Sequence, residues 1–432
     1  MVSRMSELNQ RGVQNNLSLR KNIGFALLIF VLFAVAAEGL ARFLVRSEFL
    51  EAASTDNIRS AWAEAGWAVD PLLGWTLLPN HSSLRGGATC DTNAYGHRDH
   101  DFPKRRPDGE FRILSIGDST ALGFGVAEAD TYAARLERLL QERTGSHVEV
   151  INAGVPGYAS TQLRLYLEHR GLAFEPDAVI VETNFNDRRA VPPTAEPDSE
   201  SQFRQMNRQL RIRELLDHSM ITRVMRALLT GSTPGGVLDT GNFAFDEIEV
   251  ASPVRVPLEQ YELNMREMIR LARNYGADIY LIGLPDAPIL TTPTRNAIRY
   301  VAEGKWRLAE RELGRIENPS HDLIRQGLRN RIYLATDRPE RVRQTIPVRF
   351  EVPWISTDGY LPIYLGDPYI AVLERLGGEL ELPVVVPKSN GPQIYIDYIH
   401  LNGRGHEIVA QELANAISTT ASFRRATGTN QE

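Results

Sequence analysis

Short apolar runs alternate with amphipathic stretches in the first half of the chain, and this alternation limits the folds open to it. Strands that alternate with helices at such spacing form βαβ units, in which neighbouring strands run parallel. The sequence therefore predicts an α/β fold, with a three-layer parallel sheet flanked by helices. The predicted strands are Phe111–Ile116, Val148–Ala153 and Ala178–Val181, and the predicted helices between them are Tyr132–Arg143 and Gln162–Leu172.

The same order resumes late in the chain. Apolar spacing predicts a helix over 257–275, a strand over Ile279–Leu284 and a last helix over Leu401–Ile417. The interval of about 190–390 otherwise lacks the regular alternation. We therefore expect a large elaboration inside a single catalytic domain.

One apolar run has the length of a membrane-spanning helix. Ile23–Ala37 carries no charged residue, and apolar character continues to Val45 despite Glu38 and Arg42. These two charged residues stand four apart, so they can form an ion pair near the far membrane surface. At a rise of about 1.5 Å per residue, the stretch 23–45 can cross ~30 Å of hydrocarbon.

The flanking charges predict how this helix lies in the membrane. A basic excess before it predicts a cytoplasmic N-terminus, an exported remainder and a place in the cell inner membrane. Ala34-Val35-Ala36 resembles a cleavage site, but the long segment before the apolar run favours an uncleaved anchor over a signal peptide. The expected divisions are a cytoplasmic basic tail (1–22), a transmembrane helix (23–45), a stem packing on the catalytic domain (46–110), the catalytic domain (111–420) and a flexible tail (421–432).

Charge and cysteine content exclude several classes of protein. The 432-residue chain has a formal net charge of −6, which argues against a generic nucleic-acid binder. Its single cysteine, Cys90, excludes an intrachain disulfide and a cysteine-based zinc site. Only one long apolar run exists, so a multi-span membrane protein is excluded as well.

Two polar segments follow the first two predicted strands, at the sheet edge where ligands bind in parallel sheets. Gly117-Asp118-Ser119 offers a serine that an adjacent base would activate, although a helix cap is the simpler explanation of Ser119 alone. Gly157 lies five residues after Asn152, where a glycine lets a backbone N–H approach a reacting carbon. Alone, this second segment is an ordinary turn.

Two further segments complete the set. Asn186, in Asn184-Phe-Asn186-Asp187, follows the third strand and offers an amide donor, with a turn as the ordinary alternative. Asp397 and His400 stand three apart before the last helix, so the carboxylate can hold one ring nitrogen while the other acts as a base. An isolated Asp and His at this spacing usually have a structural role, and they indicate catalysis here only together with the other three segments.

The four segments, in this order, resemble the blocks of the GDSL-type, or SGNH, hydrolase superfamily. The resemblance covers about 111–190 and 391–418 and implies an SGNH-hydrolase-like, flavodoxin-like sheet. One position departs from the pattern, because the third block usually has glycine where this chain has Asn184. A side chain there could narrow the site, although Asn tolerates a left-handed backbone better than most residues.

Carried over residue by residue, the resemblance implies a catalytic triad. Ser119 would be the nucleophile, His400 the general base and acid, and Asp397 the residue that orients His400. The backbone N–H groups of Ser119 and Gly157, with the Asn186 side chain, would form the oxyanion hole. The resemblance implies no cofactor and no metal.

The stem adds a second likeness. Asp70-Pro-Leu-Leu-Gly-Trp75 and Asn93-Ala-Tyr-Gly-His97-Arg98 look like the lead-in of membrane-anchored bacterial members of the superfamily, which often accompany cell-surface polysaccharide machinery. We therefore expect an esterase or acyltransferase for small acyl esters of a carbohydrate, with acetyl preferred, acting through an acyl-serine intermediate. The alternatives are a lipid esterase or thioesterase, or a catalytically weak glycan-binding scaffold of a polysaccharide synthesis complex.

Three other features have plain explanations. His97, Asp99, His100 and Asp101 are of metal-ligand type, but a solvated loop is the favoured interpretation. His406 is expected to cap or pack the last helix. Arginines between 204 and 226 are expected to form a solvated helical face.

Overall fold

The computed structural model describes most of the chain, and the described residues form two compact units. One unit comprises 1–60 and 208–237, and the other 61–207 and 238–432. Asp397 lies outside the described residues. The described stretches are 2–44, 62–189, 197–230, 254–285, 368–387, 394–396 and 399–429, with shorter stretches between 293 and 341.

The elements follow in chain order. The helices are α1 (Val2–Leu44), α2 (Ser119–Leu122), α3 (Tyr132–Thr144), α4 (Ser160–His169), α5 (Glu200–Asp217), α6 (Met220–Thr230), α7 (Leu258–Tyr275), α8 (Trp306–Leu313), α9 (Pro368–Leu380), α10 (Gly403–Ser418) and α11 (Ala421–Thr427). The strands are β1 (Trp67–Asp70), β2 (Gly74–Leu77), β3 (Ser82–Arg85), β4 (Ala88–Asp91), β5 (Phe111–Gly117), β6 (Val148–Gly154), β7 (Ala178–Glu182), β8 (Asp278–Ile282) and β9 (Val384–Val385).

A parallel sheet of five strands forms the centre of the larger unit. Its strand order is β6-β5-β7-β8-β9, which places β6 at an edge, and every pairing is parallel. Side chains alternate between the two faces, so Ile113, Val150 and Ile180 join one core with α3 and α10. Helices α4, α7 and α9 pack with one another over the other face. This arrangement confirms the predicted α/β fold, and the predicted strands and helices of the sheet are present.

Local sequence signals explain where the helices around the sheet begin and end. Thr131 caps α3 by accepting a bond from the N–H of Ala134 (3.2 Å), and Gly145 ends the helix with a left-handed φ of 68°. Asn402 caps α10 by accepting bonds from the N–H groups of Arg404 (3.0 Å) and Gly405 (3.1 Å). The second cap fixes the helix that follows the loop of His400.

The stem (46–110) and the segment predicted to be a flexible tail (421–432) both contain regular secondary structure. Within 46–110, β1 pairs with β2 and β3 with β4 in two antiparallel hairpins, both in the larger unit. At the other end, 421–432 begins with helix α11. Its Phe423 is fully buried and packs edge-on against Phe111, with ring centroids 4.9 Å apart.

The smaller unit contains α1 and α6. Within α1, the stretch Asn22–Phe43 is long and apolar enough to cross a membrane, by length and composition. Glu38 accepts bonds from the N–H groups of Met220 (2.7 Å) and Ile221 (3.2 Å), so it caps the first turn of α6. Arg42 Nε donates to Glu38 Oε1 at 2.8 Å, which confirms the expected ion pair.

Candidate active site

Ser119 lies just beyond the carboxyl end of β5, the second strand of the sheet, in a turn with no room for larger residues. A Cβ on Gly117 would lie 2.5 Å from the Cβ of Ala121, and a Cβ on Gly154 would lie 2.3 Å from the backbone nitrogen of Leu122. Real Cβ atoms do not approach other atoms this closely, so both positions require glycine. These contacts hold helix α2 directly against the ends of β5 and β6.

His400 meets Ser119 although 281 positions separate them in the sequence. Its Nε2 lies 2.8 Å from Ser119 Oγ, and the two atoms form a hydrogen bond. His400 is 1% exposed and Ser119 9% exposed, so little water reaches the pair. The ring of Phe124 stacks on the imidazole at a centroid distance of 4.3 Å, and the N–H of Ile396 donates to the His400 carbonyl (2.8 Å).

Gly157 follows β6 in a loop whose backbone is held from several directions. Its φ of 80° lies in the left-handed region, which favours glycine. Arg255 Nη1 donates to the Gly157 carbonyl at 2.8 Å, and Trp75 Nε1 donates to the Pro156 carbonyl at 3.1 Å. The Tyr158 hydroxyl in turn donates to the Trp75 carbonyl at 2.6 Å. The loop is therefore rigid before any substrate arrives.

Asn186 faces the same turn as the nucleophile. Its Nδ2 donates to Asp118 Oδ2 at 2.8 Å, and the side chain is buried. This bond occupies one of the two amide hydrogens. The structure thus brings Ser119, His400 and Asn186 to one end of the sheet.

Two buried carboxyl groups meet behind Ser119, and sequence analysis missed the second of them. Asp118 accepts bonds from the Thr120 N–H (2.8 Å) and from Asn186, while Glu182 accepts one from the Asp118 N–H (3.1 Å). The side chains of the two acids also bond to each other. Burial raises the pKa of both, and the pKa of Glu182 lies well above its usual range. Asp118 accepts two further hydrogen bonds, which favour its charged form, so we assign the shared proton to Glu182, which donates it to Asp118.

Asn184 does not take the left-handed backbone that a glycine at this position would permit. Its Nδ2 donates to the Leu284 carbonyl (2.9 Å), and its Oδ1 accepts from the Leu284 N–H (3.1 Å). The fully buried amide thus continues the pairing of β7 with β8 beyond the strand ends. The substitution for glycine is accommodated by the sheet.

Arg255 is a second residue that sequence analysis missed. It comes from the elaboration, holds the Gly157 loop and forms an ion pair with Asp198 at 2.5 Å. Its backbone N–H donates to the Arg189 carbonyl at 2.8 Å. Neighbouring Asp187 accepts bonds from Ser160 and Thr183, and burial raises its pKa to about 6. An isolated arginine in a polar segment gave no signal of this role.

Two histidines that sequence analysis weighed lie away from Ser119. The His406 Nδ1 accepts a bond from the Tyr132 N–H (3.1 Å), which packs α10 against α3 as expected. His97 is buried, with its Nε2 2.6 Å from the Tyr166 hydroxyl. Burial lowers the pKa of both rings to about 3, so both are neutral.

A serine bonded to a histidine at the carboxyl ends of parallel strands defines an α/β hydrolytic site of the serine type. The family model described as "GDSL-like Lipase/Acylhydrolase family" matches residues 115–323. Residues 115–323, just under half of the chain, thus resemble a GDSL-like lipase or acylhydrolase domain. None of the curated proteins compared with the chain matches it.

Several hydrolases are among the solved structures whose backbones align with this chain. The acetylxylan esterase Axe2 from Geobacillus stearothermophilus is 16% identical, with a TM-score of 0.34 over 74% of this chain and 94% of that one. The lipase/acylhydrolase from Enterococcus faecalis is 14% identical, with a TM-score of 0.35 over 71% and 95%. LAE5, an α/β hydrolase from the metagenome of Lake Arreo, is 14% identical, with a TM-score of 0.33 over 74% and 97%. Structural similarity at these TM-scores does not identify the substrate.

Proposed function

We propose that this protein is a membrane-anchored, exported serine esterase or acyltransferase. It acts on small acyl esters of a carbohydrate, with acetyl preferred, through an acyl-serine intermediate. The single observation that carries the proposal is the 2.8 Å contact between Ser119 Oγ and His400 Nε2. A serine hydroxyl is a weak nucleophile until a base takes its proton, and this imidazole is within reach.

In the proposed mechanism, His400 removes the Ser119 proton as the hydroxyl attacks the ester carbonyl. The negative charge that develops on the carbonyl oxygen is met by the N–H groups of Ser119 and Gly157 and by the second amide hydrogen of Asn186. His400 then protonates the leaving alcohol, and the acyl group stays on Ser119. Asp397 would orient the His400 ring. One oxyanion donor is worth about 2.7–4 kcal/mol of transition-state stabilisation.

The second half-reaction decides between hydrolysis and transfer. Water or a sugar hydroxyl attacks the acyl-serine, and His400 serves as the base for either. The carbohydrate ester is supported by the likeness of the stem to membrane-anchored members of the superfamily, and the membrane anchor is supported by the apolar stretch Asn22–Phe43.

A p-nitrophenyl acetate assay on the detergent-solubilised full chain tests the proposal. We expect activity in the wild type and a loss of at least about 10³-fold in Ser119→Ala and in His400→Ala, because either change removes the nucleophilic step. The matched controls are Ser146→Ala and His169→Ala, which replace a serine and a histidine elsewhere and should leave kcat unchanged.

Two outcomes would contradict the proposal. Full activity in Ser119→Ala would mean that the hydrolysed bond is attacked by another group. An inactive wild type that binds glycan, with binding retained in Ser119→Ala, would favour the scaffold alternative.

A further inference from the structure

A cluster of histidine and carboxylate groups lies away from the active site, at the edge strand β6. The metal-ligand atoms of Asp99, His100 and Glu149 all lie within 4.8 Å of one another. Tetrahedral ligands at zinc bond lengths of roughly 2.1 Å lie about 3.4 Å apart. The His100 ring now bridges the two acids, with Nδ1 2.9 Å from Asp99 Oδ1 and Nε2 3.3 Å from Glu149 Oε2, so the ring would have to turn one nitrogen toward an ion that both carboxylates bind. His97 and Asp101, which the sequence grouped with them, do not join this cluster.

Glu149 supplies an independent sign that a ligand belongs here. Its side chain is 6% exposed, and its Oε1 is buried with no hydrogen-bond donor in the part of the chain that the structure describes. The other oxygen, Oε2, lies 3.3 Å from His100 Nε2. A buried carboxylate oxygen with no donor is costly, because it has lost water and gained nothing in return. A cation bound by this carboxylate would remove that cost.

Asp99 is held in position by the sheet itself. Its Oδ2 accepts the outward-facing N–H of Asn152 on β6 (2.9 Å), and its Oδ1 accepts the N–H of His100 (2.9 Å). The His100 carbonyl is also fixed, by the Asn93 amide at 2.9 Å. The loop therefore presents its two ligand residues to β6 without further ordering, which lowers the entropic cost of binding.

A second set of ligand types shares Glu149, but its other members are less suitable. Glu110 and His147 lie with Glu149 within the same 4.8 Å limit. Glu110 already forms a buried ion pair with Arg112 at 2.7 Å, so its charge is neutralised. In the first set, no arginine among the described residues is bound to either acid, and two carboxylates with an imidazole suit a divalent ion.

We propose that Asp99, His100 and Glu149 bind a divalent transition-metal ion, with zinc as the expected occupant and water completing the tetrahedron. Histidine nitrogen with carboxylate oxygen is a usual zinc ligand combination. The ion would join the segment before the catalytic sheet to the edge strand of that sheet. Its role would be structural, because none of its ligands takes part in the Ser119 chemistry.

Zinc titration of the detergent-solubilised full chain, first dialysed against a chelator, tests the proposal by calorimetry. We expect one ion per chain with micromolar or tighter affinity, and a higher Tm in the presence of zinc. His100→Ala and Glu149→Gln should each weaken binding by about tenfold or more and remove the Tm increase. His169→Ala, which removes an exposed histidine elsewhere, should leave both unchanged.

The two ligand sets make different predictions. Loss of zinc binding in His147→Ala with retention in His100→Ala would overturn the proposal in favour of the second set. Absence of saturable binding in the wild type would overturn it outright. If Glu149→Gln does not fold, the His100→Ala variant still tests the proposal. The His100 side chain is half exposed, so its removal should be tolerated, and the p-nitrophenyl acetate activity of the variant reports whether it has folded.

Discussion

The proton shared by Asp118 and Glu182 stabilises the hydrogen bonds that position the residues next to Ser119. Asp118 holds both the Thr120 N–H and the Asn186 amide, and it can do so as an anion because Glu182 is protonated and donates to it. Glu182 thus sets the position of Asn186 through one intermediate residue. Loss of its proton would place two negative charges together without water, which is costly.

Glu182 should make the protein less stable as pH rises. In the unfolded chain its carboxyl ionises near the ordinary glutamate pKa of 4.5, whereas burial keeps the native pKa well above that value. The native state then binds more protons than the unfolded state, so the free energy of unfolding falls with pH from about 4.5 until native Glu182 ionises. The slope from this group reaches at most about 1.4 kcal/mol per pH unit.

Glu182→Gln should remove this dependence, because the amide is neutral and can donate to Asp118 in the same way. We expect the variant to gain stability over the wild type as pH rises, measured by thermal unfolding between about pH 5 and pH 8. Other buried acids, such as Asp187, act equally in both proteins and cancel in the comparison. An unchanged difference in Tm across this range would show that Glu182 is ionised in the native state.

The sequence predicted the site residues that belong to ordered motifs, but it did not predict the residues whose roles depend on contacts in the folded protein. Ser119, Gly157 and Asn186 follow three apolar runs, and parallel strands end at the same edge of a sheet, so the sequence predicts all three residues at that edge. Glu182 ends an apolar strand and Arg255 lies in a polar segment, and neither position has a local signal. Their roles depend on residues 64 and 98 positions away.

Among the elements, the approach of α2 to β6 depends on a glycine. In Gly154→Ala the new Cβ would meet the Leu122 nitrogen, and backbone atoms cannot move aside cheaply. We expect a loss of stability of about 1–3 kcal/mol and reduced esterase activity, because α2 begins with Ser119. Thermal unfolding and the ester assay measure the two effects.

Gly378→Ala is the matched control for this change. Gly378 lies exposed in α9, and a Cβ added there would have nothing within 4 Å, so alanine should stabilise the helix by up to about 1 kcal/mol. Both substitutions replace glycine with alanine, and their effects on the free energy of unfolding are expected to have opposite signs. A Gly154→Ala variant as stable as Gly378→Ala would contradict the close packing of α2 on β6.

Element prediction succeeded where apolar runs were long and failed where strands were short. The strands β5, β6 and β7 are almost fully buried, and buried runs of this kind are visible in the sequence. Strands β1 to β4 have four residues each, too few for a pattern, and bonds such as Trp75 to Pro156 depend on the folded sheet. The hairpins of the stem were therefore missed.

At the scale of the whole molecule, the apolar stretch of α1 is proposed to anchor an exported enzyme. A reporter enzyme fused after residue 60 should be active only outside the cytoplasm, because the basic residues before the helix hold the N-terminus inside. The same fusion without residues 23–45 should keep the reporter in the cytoplasm. Cytoplasmic activity of the intact fusion would contradict the proposed topology.

An activated serine is the central claim, and a fluorophosphonate probe tests it most directly, because such a probe modifies only serines with an active base beside them. We predict one adduct per chain, located on Ser119 by peptide mass spectrometry, and a large fall in labelling rate in His400→Ala but not in His169→Ala. An adduct on a different residue, or equal labelling of Ser119 in His400→Ala, would contradict the account.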